Sequence, residues 1–240
     1  MAGDFAYLIR FLDNEGKECY GNLTEAKTAL DLIGSKAQVV LGNPLVGLTV
    51  TDEEKTISKF TVPSQPVVFT KPADSIAAPF DDIHVHPEAQ SQLDYEGELC
   101  FIFGKDCKDV TEGDAMDCVL GYTIGNDFSA RNYIPQEISG FQMSYGKSFD
   151  AFAPFGPYIV HPRIVGDPHQ LQLTTKVNGE IRQNEKTSDM IWKIPGTVCM
   201  TGTPSGVGWF MQPTGYVKHG DEVEVTIEKL GSIKNRVFFL

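Results

Sequence analysis

LDYEGELCFIF, residues 93–103, is the stretch on which the reading of the chain turns. Leu93, Tyr95, Leu99, Phe101 and Phe103 are apolar or aromatic, with Ile102 close behind, and the pattern predicts a strand. Side chains alternate along a strand with period two, so Glu96 and Glu98 share a face with Asp94 beside them. If that face lies in water, the three acids are simply solvated. If it is buried, they repel one another unless a cation holds them. Hard divalent ions such as Mg2+ are held by one or two carboxylates, with water and substrate oxygens completing the shell.

The chain outside this stretch limits the function classes. Its 240 residues, 41% hydrophobic and 10% aromatic, suffice for one sizeable core with a smaller appendage. A formal net charge of -12 argues against nucleic acid or an anionic membrane surface as partner. An acidic protein that handles an anionic substrate needs a metal to reverse the local sign. There is no apolar run of membrane-spanning length, and MAGDFAYLIR has neither a signal-peptide core nor an Arg/Ser-rich transit pattern. The expectation is a cytoplasmic protein, with a mitochondrial location left open. Cys19, Cys100, Cys107, Cys118 and Cys199 form no CxxC pair, so reduced and mostly buried thiols are expected.

Residues 1–60 read as a small leading α/β domain and 61–240 as the main one. In the first, alternating residues flank Asp13-Asn14-Glu15-Gly16, a hairpin turn, and Thr24 is placed to cap a short helix over residues 25–33. From Thr61 the texture turns proline-rich and extended, which excludes a continuous helix. Residues 110–118 predict a helix with Thr111 as N-cap, and LQLTTKVNGEIRQ a hairpin turning at Asn178-Gly179. DEVEVTIEKLG is a strand with Val223, Val225 and Ile227 on one face. Strands and short helices mix without a βαβ rhythm, so the fold class is α+β and mainly β.

Four further features carry chemistry or a structural substitute for it. Asp127, after the glycines of GYTIGND, either caps a helical turn ended by Pro135 or supplies a third oxygen ligand from another element. Lys147, among small and aromatic residues in GKSFDAFAP, is expected to be partly buried, where its ammonium would orient an anion. TGTPSGVG, residues 201–208, lacks the Gly-Lys-Ser/Thr ending of a phosphate loop. It is either a tight turn or a cradle presenting backbone N–H groups and the Thr203 hydroxyl to a carboxylate. His84 and His86 form an HxH pair, which with Glu96 or Glu98 suggests a rival transition-metal site of cupin type.

DYEGEL, GYTIGNDFSAR, GKSFDAFAPFGP, VNGEIRQ, TGTPSGVG and GDEVEVTIEKLG, in that order, resemble the fumarylacetoacetate hydrolase family, over about residues 65–237. The likeness is to its smaller members, the acylpyruvate hydrolases, oxaloacetate decarboxylases and oxaloacetate tautomerases. The resemblance implies a β-roll fold with short helices, a homodimer, and Mg2+ or Mn2+ on Glu96, Glu98 and Asp127. It also implies catalytic roles for Lys147 and Thr203, and a substrate site lined by Arg131, Lys147, Gly202 and Thr203. The expected chemistry acts on small 2-oxo or 1,3-dicarbonyl acids through a stabilised enolate, with C–C bond hydrolysis ranked ahead of decarboxylation and tautomerisation. An impaired member that only binds metal and 2-oxo acids is the alternative.

Three departures mark this chain. The family's GxNYxxH segment, whose histidine works with a nearby glutamate to position water or a proton, has no counterpart, because Lys59-Phe60 runs straight into Thr61-Val62-Pro63. The helix and loop that follow TSDMIWKIP in the family are missing too, since Pro195 is followed at once by Gly196. With intact motifs on both sides of each join, the expectation is mobile loops, including a lid, left out of the numbering instead of true deletions. Ile134 stands where many members carry a glutamine three residues after the motif arginine.

Overall fold

Residues 7–24, 34–43, 47–60, 67–111, 113–140, 142–189 and 200–240 are described by the computed structural model. The expected helix over residues 25–33, the joins Phe60–Thr61 and Pro195–Gly196, and Cys199 fall on residues outside these. The chain divides into two units, Met1–Val67 and Val68–Leu240.

The described residues of the first unit form a five-stranded sheet in the order β4-β3-β2-β1-β5, built from β1 (Tyr7–Leu12), β2 (Glu18–Leu23), β3 (Lys36–Asn43), β4 (Gly47–Thr56) and β5 (Lys59–Phe60). The β1–β2 turn is the one the sequence offers. Asp13 Oδ1 accepts the amides of Glu15 and Lys17, each at 2.9 Å, and Gly16 takes a φ of 77° that other residues resist. Phe11, Cys19, Leu23, Ala37 and Ile57 form its core.

Among its described residues the second unit has eleven strands: β6 (Ile76–Ala77), β7 (Ile83–Val85), β8 (Leu93–Asp94), β9 (Gly97–Phe103), β10 (Val119–Asn126), β11 (Ser129–Ala130), β12 (Ala153–Val160), β13 (Gln172–Val177), β14 (Glu180–Lys186), β15 (Glu222–Ile227) and β16 (Gly231–Phe239). They form a sheet ordered β6-β12-β10-β9, a sheet ordered β14-β13-β15-β16-β7, and the two-stranded ribbon β11-β8. One core cluster takes Leu99 and Phe101 from β9, Tyr122 and Ile124 from β10, and Leu173, Val225, Ile227 and Ile233 from the five-stranded sheet. A second gathers Ile83, Val85, Leu93, Phe128, Phe152, Val223 and Val237. Each of these side chains when fully buried contributes about 1.5–3 kcal/mol. Among the described residues helix is confined to single turns, including α1 (Gln136–Ser139), α2 (Ser144–Lys147) and α3 (Pro162–Val165).

Two expectations are corrected. Residues 110–118 form a helical turn only over Ala115–Cys118. Thr111 accepts the Asp114 amide and donates to the Asp114 carboxylate, a local turn that competes with continuing the helix. The stretch 93–103 is two strands, not one. β9 pairs with β10 from Gly97↔Asn126 onward, whereas β8 pairs with β11 through Asp94↔Ser129. Both antiparallel partners therefore leave one ladder and enter the other at the same level. The gap is bridged by Asp127 N donating to Glu96 O at 2.8 Å and by Glu96 N donating to Asn126 Oδ1 at 3.0 Å.

Candidate functional site

The double strand break places residues 96 and 127 side by side, and the site grows from it. Glu96, Glu98 and Asp127 each offer a carboxylate oxygen, and these atoms lie within 4.8 Å of one another. All three are buried, at 7%, 2% and 1% exposure, which rules out the solvated-face reading. Gly97 between the glutamates is required by packing. A Cβ there would lie 2.3 Å from Thr175 Oγ1 and 3.0 Å from Val225, so only a bare backbone lets β9 pass over β13 and β15.

Asp94 does not join the cluster. Its Oδ1 accepts the amides of Tyr95 and Gly208, and its Oδ2 accepts the Trp209 amide and Arg131 Nε, both at 2.9 Å. Nor does Asp127 cap a helix. The 3-10 turn ahead of Pro135 starts after Ala130, and the Asp127 side chain faces lysines instead.

Lys147, at the end of α2, is fully enclosed, beyond the partial burial expected of it. Its Nζ stands 2.8 Å from Glu96 Oε2 and 2.6 Å from Asp127 Oδ2, and it lies 5.0 Å over the Phe69 ring. Burial alone would lower its pKa, but the Glu96, Asp127 and Glu98 carboxylates outweigh that and raise it, so it stays an ammonium. Arg131 reaches Glu96 Oε1 with Nη2 at 2.6 Å, a close charge pair out of hydrogen-bond alignment.

Lys71 was not among the residues singled out from the sequence. Its Nζ lies 2.7 Å from Asp127 Oδ1 and donates to the carbonyls of Phe152, Phe128 and Lys147. Burial lowers its pKa, against the pull of Asp127. The one signal for it was a lysine set between Phe69-Thr70 and Pro72, where a solvated side chain is equally ordinary.

The TGTP loop turns toward the same place. Gly202, at a φ of 89°, donates its N–H to Glu98 Oε2 at 2.8 Å. Thr203 Oγ1 donates to Gly97 O at 3.0 Å and accepts from Gln183 Nε2 at 2.8 Å. Ile134 is buried. His84 and His86 do not come to the carboxylates: the one metal-capable cluster among the described residues contains no histidine. They line a groove of about 340 Å3 with Tyr145, Ser148, Phe149, Asp150 and Leu240.

The donor set fits a hard divalent ion. Asp94, Glu96, Glu98 and Asp127 face Lys71, Lys147 and Arg131, so four carboxyl groups meet three cations and one carboxyl group is left without a balancing cation. Glu98 has no side-chain cation paired with it among the described residues. Burial, with Asp127 and Glu96 close by, holds its carboxyl well above the usual carboxylate range. A buried all-oxygen triad with one carboxylate lacking a paired cation is a donor set suited to a hard divalent ion.

Residues 45–238 match the family model described as fumarylacetoacetate (FAA) hydrolase, C-terminal. An oxaloacetate tautomerase of Xenopus laevis, described as mitochondrial, is 38% identical over 242 aligned positions, covering 90% of this chain and 74% of that protein. That alignment is longer than the part of this chain it covers, so the relative has residues where this chain has none. The oxaloacetate tautomerase YisK of Bacillus subtilis is 38% identical over 194 residues, covering 75% of this chain and 64% of its own length. Among solved structures, the fumarylacetoacetate hydrolase of Exiguobacterium antarcticum superposes with a TM-score of 0.68 at 30% identity, covering 97% of this chain and 99% of that one.

Proposed function

Since the chain belongs to the fumarylacetoacetate hydrolase family, we propose that it acts on small 2-oxo acids of the oxaloacetate class and interconverts their keto and enol forms. The observation that carries this reading is the buried convergence of Glu96, Glu98 and Asp127 within 4.8 Å, with two lysines and an arginine packed against them. Glu96, Glu98 and Asp127 would hold Mg2+ or Mn2+, which supplies Lewis-acid polarisation of a 2-oxo carboxylate.

The chain's own groups do the rest. Lys147 is held as an ammonium by its carboxylate neighbours and stabilises negative charge developing on the enolate oxygen. Lys71 is fixed by three backbone carbonyls and holds Asp127 from the other side. In this reading Arg131 and the Gly202–Thr203 loop, which pack against Glu96 and Glu98, bind the substrate carboxylate. Thr203 acts in this reading by fixing the backbone of Gly97 between the two glutamates.

Hydrolysis, decarboxylation and tautomerisation all pass through an enolate. Hydrolysis also needs an activated water, and the relatives that match this chain at 38% identity are described as oxaloacetate tautomerases. Tautomerisation needs only proton exchange between C3 and the enol oxygen. We therefore place it ahead of the C–C hydrolysis that the family resemblance put first. The test is to follow decay of enol-oxaloacetate absorbance with Mg2+ or Mn2+ against the uncatalysed rate. Acceleration that Glu96→Ala abolishes supports the proposal, and no acceleration with either metal overturns it.

The missing histidine segment favours one second reading, a protein that binds metal and 2-oxo acids without turnover. Calorimetric binding of oxalate, an enolate mimic, with no acceleration of any of the three reactions would establish it. A homodimer remains the proposed assembly, and sedimentation at micromolar concentration tests it.

A further inference from the structure

Trp209 follows the glycine-rich loop in a 3-10 turn over Gly208–Phe210. The centre of the Arg131 guanidinium lies 5.0 Å from its ring centroid. Asp94 fixes both partners, since its Oδ2 accepts Arg131 Nε and the Trp209 amide, each at 2.9 Å, while Oδ1 accepts the Gly208 amide at 2.8 Å. The loop has no slack there, because a Cβ on Gly208 would come 2.4 Å from Gly215 O and 2.8 Å from Asp94 Oδ1. Phe210, 78% exposed, stacks on the indole at 5.6 Å with the planes 11° apart. The guanidinium donates through Nε to Asp94, Nη2 stands 2.6 Å from Glu96 Oε1 as a charge pair out of hydrogen-bond alignment, and Nη1 makes no hydrogen bond among the described residues.

We propose that Trp209 is a positioning residue: its ring face holds the Arg131 guanidinium so that Nη1 is presented to the carboxylate of a bound 2-oxo acid. The inference rests on the function proposed above. A planar cation on an aromatic face is restrained in tilt as well as in position. If Glu96 shares its charge with a divalent ion, its pull on Nη2 would weaken. Asp94 and the indole are then the restraints that keep the guanidinium in place, so the contact matters most in the loaded site.

The experiment is oxalate titration by calorimetry in saturating Mg2+, for the parent protein, W209F and W209L, with the Mg2+ affinity of each measured separately. W209L should weaken oxalate by about 5- to 20-fold, the range of a partly desolvated cation–π contact, and leave Mg2+ affinity within about twofold. W209F, which keeps an aromatic face, should recover most of the loss. Oxalate bound equally by W209L and the parent overturns the inference alone. No oxalate binding by the parent overturns both it and the proposed function. Should W209L not fold, W192F leaves Trp209 as the sole tryptophan of the two in the chain. Its emission should then shift on adding oxalate to the Mg2+-loaded protein, and an unchanged spectrum at saturating oxalate overturns the inference.

Discussion

Lys71 Nζ stands 2.7 Å from Asp127 Oδ1 while Lys147 Nζ holds the other oxygen of the same carboxylate at 2.6 Å. Asp127 is thus clamped from two directions by lysines that come from distant parts of the chain. Lys71→Met removes one clamp and takes the ammonium donor from the Phe128, Phe152 and Lys147 carbonyls, of which Phe152 O keeps the Phe128 amide. The rate of the proposed tautomerisation should fall about 10- to 100-fold. Unfolding free energy should drop by about 1–3 kcal/mol, read from urea denaturation.

Glu98 makes the metal-free protein sensitive to pH in the direction opposite to that of a salt-bridged carboxylate. Its folded pKa is raised above the usual 4.5, by burial first and then by Asp127 and Glu96. The folded state therefore holds its proton more tightly than the unfolded chain does. Stability contributed by this group is full below about 4.5 and is lost as pH rises through the raised folded value. Thermal unfolding of the metal-free protein should show the loss across that window, and Glu98→Gln should flatten it. Mg2+ should raise the melting temperature more above the window than below it.

Thr203 joins Gly97 O to Gln183 Nε2, and Gln183 Oε1 in turn accepts the Gly97 amide at 3.0 Å. Thr203→Val breaks this frame around the residue between the two glutamates. A loss of about 1–3 kcal/mol in stability and a several-fold weaker Mg2+ affinity are expected. Thr203→Ser keeps the hydroxyl and should restore most of both.

Two glycines of the same loop should respond differently to alanine. Gly202 has a φ of 89° with open space out to 4 Å around the place a methyl would take, so Gly202→Ala should cost only the left-handed backbone penalty of about 1–2 kcal/mol. Gly206, at a φ of 102°, would set a Cβ 2.1 Å from Arg182 O. Gly206→Ala should cost about 3 kcal/mol or more. Paired melting curves check the order.

How much of this was legible beforehand depends on the kind of residue. The Asp13–Gly16 and Asn178–Gly179 turns and the β15 alternation rest on local backbone preference and period-two burial, and neighbouring residues report both. Glu96, Glu98, Asp127 and Lys147 were marked out by residue type, spacing and family resemblance. Lys71 and Trp209 were not. A lysine before a proline and a tryptophan after a glycine loop look the same whether they face water or a buried carboxylate or guanidinium.

By itself, then, the sequence determined a mainly β fold and the family to which the chain belongs, because strand periodicity, turn residues and motif order are properties of adjacent residues. Tertiary structure alone decided that the 93–103 strand breaks at Tyr95–Glu96, that Asp94 turns away to organise Arg131 and Trp209, and that His84 and His86 stay outside the carboxylate cluster. The physical reason is that β8 and β9 hydrogen-bond to different partners. Which ladder a backbone amide joins is settled by strands far away in the chain.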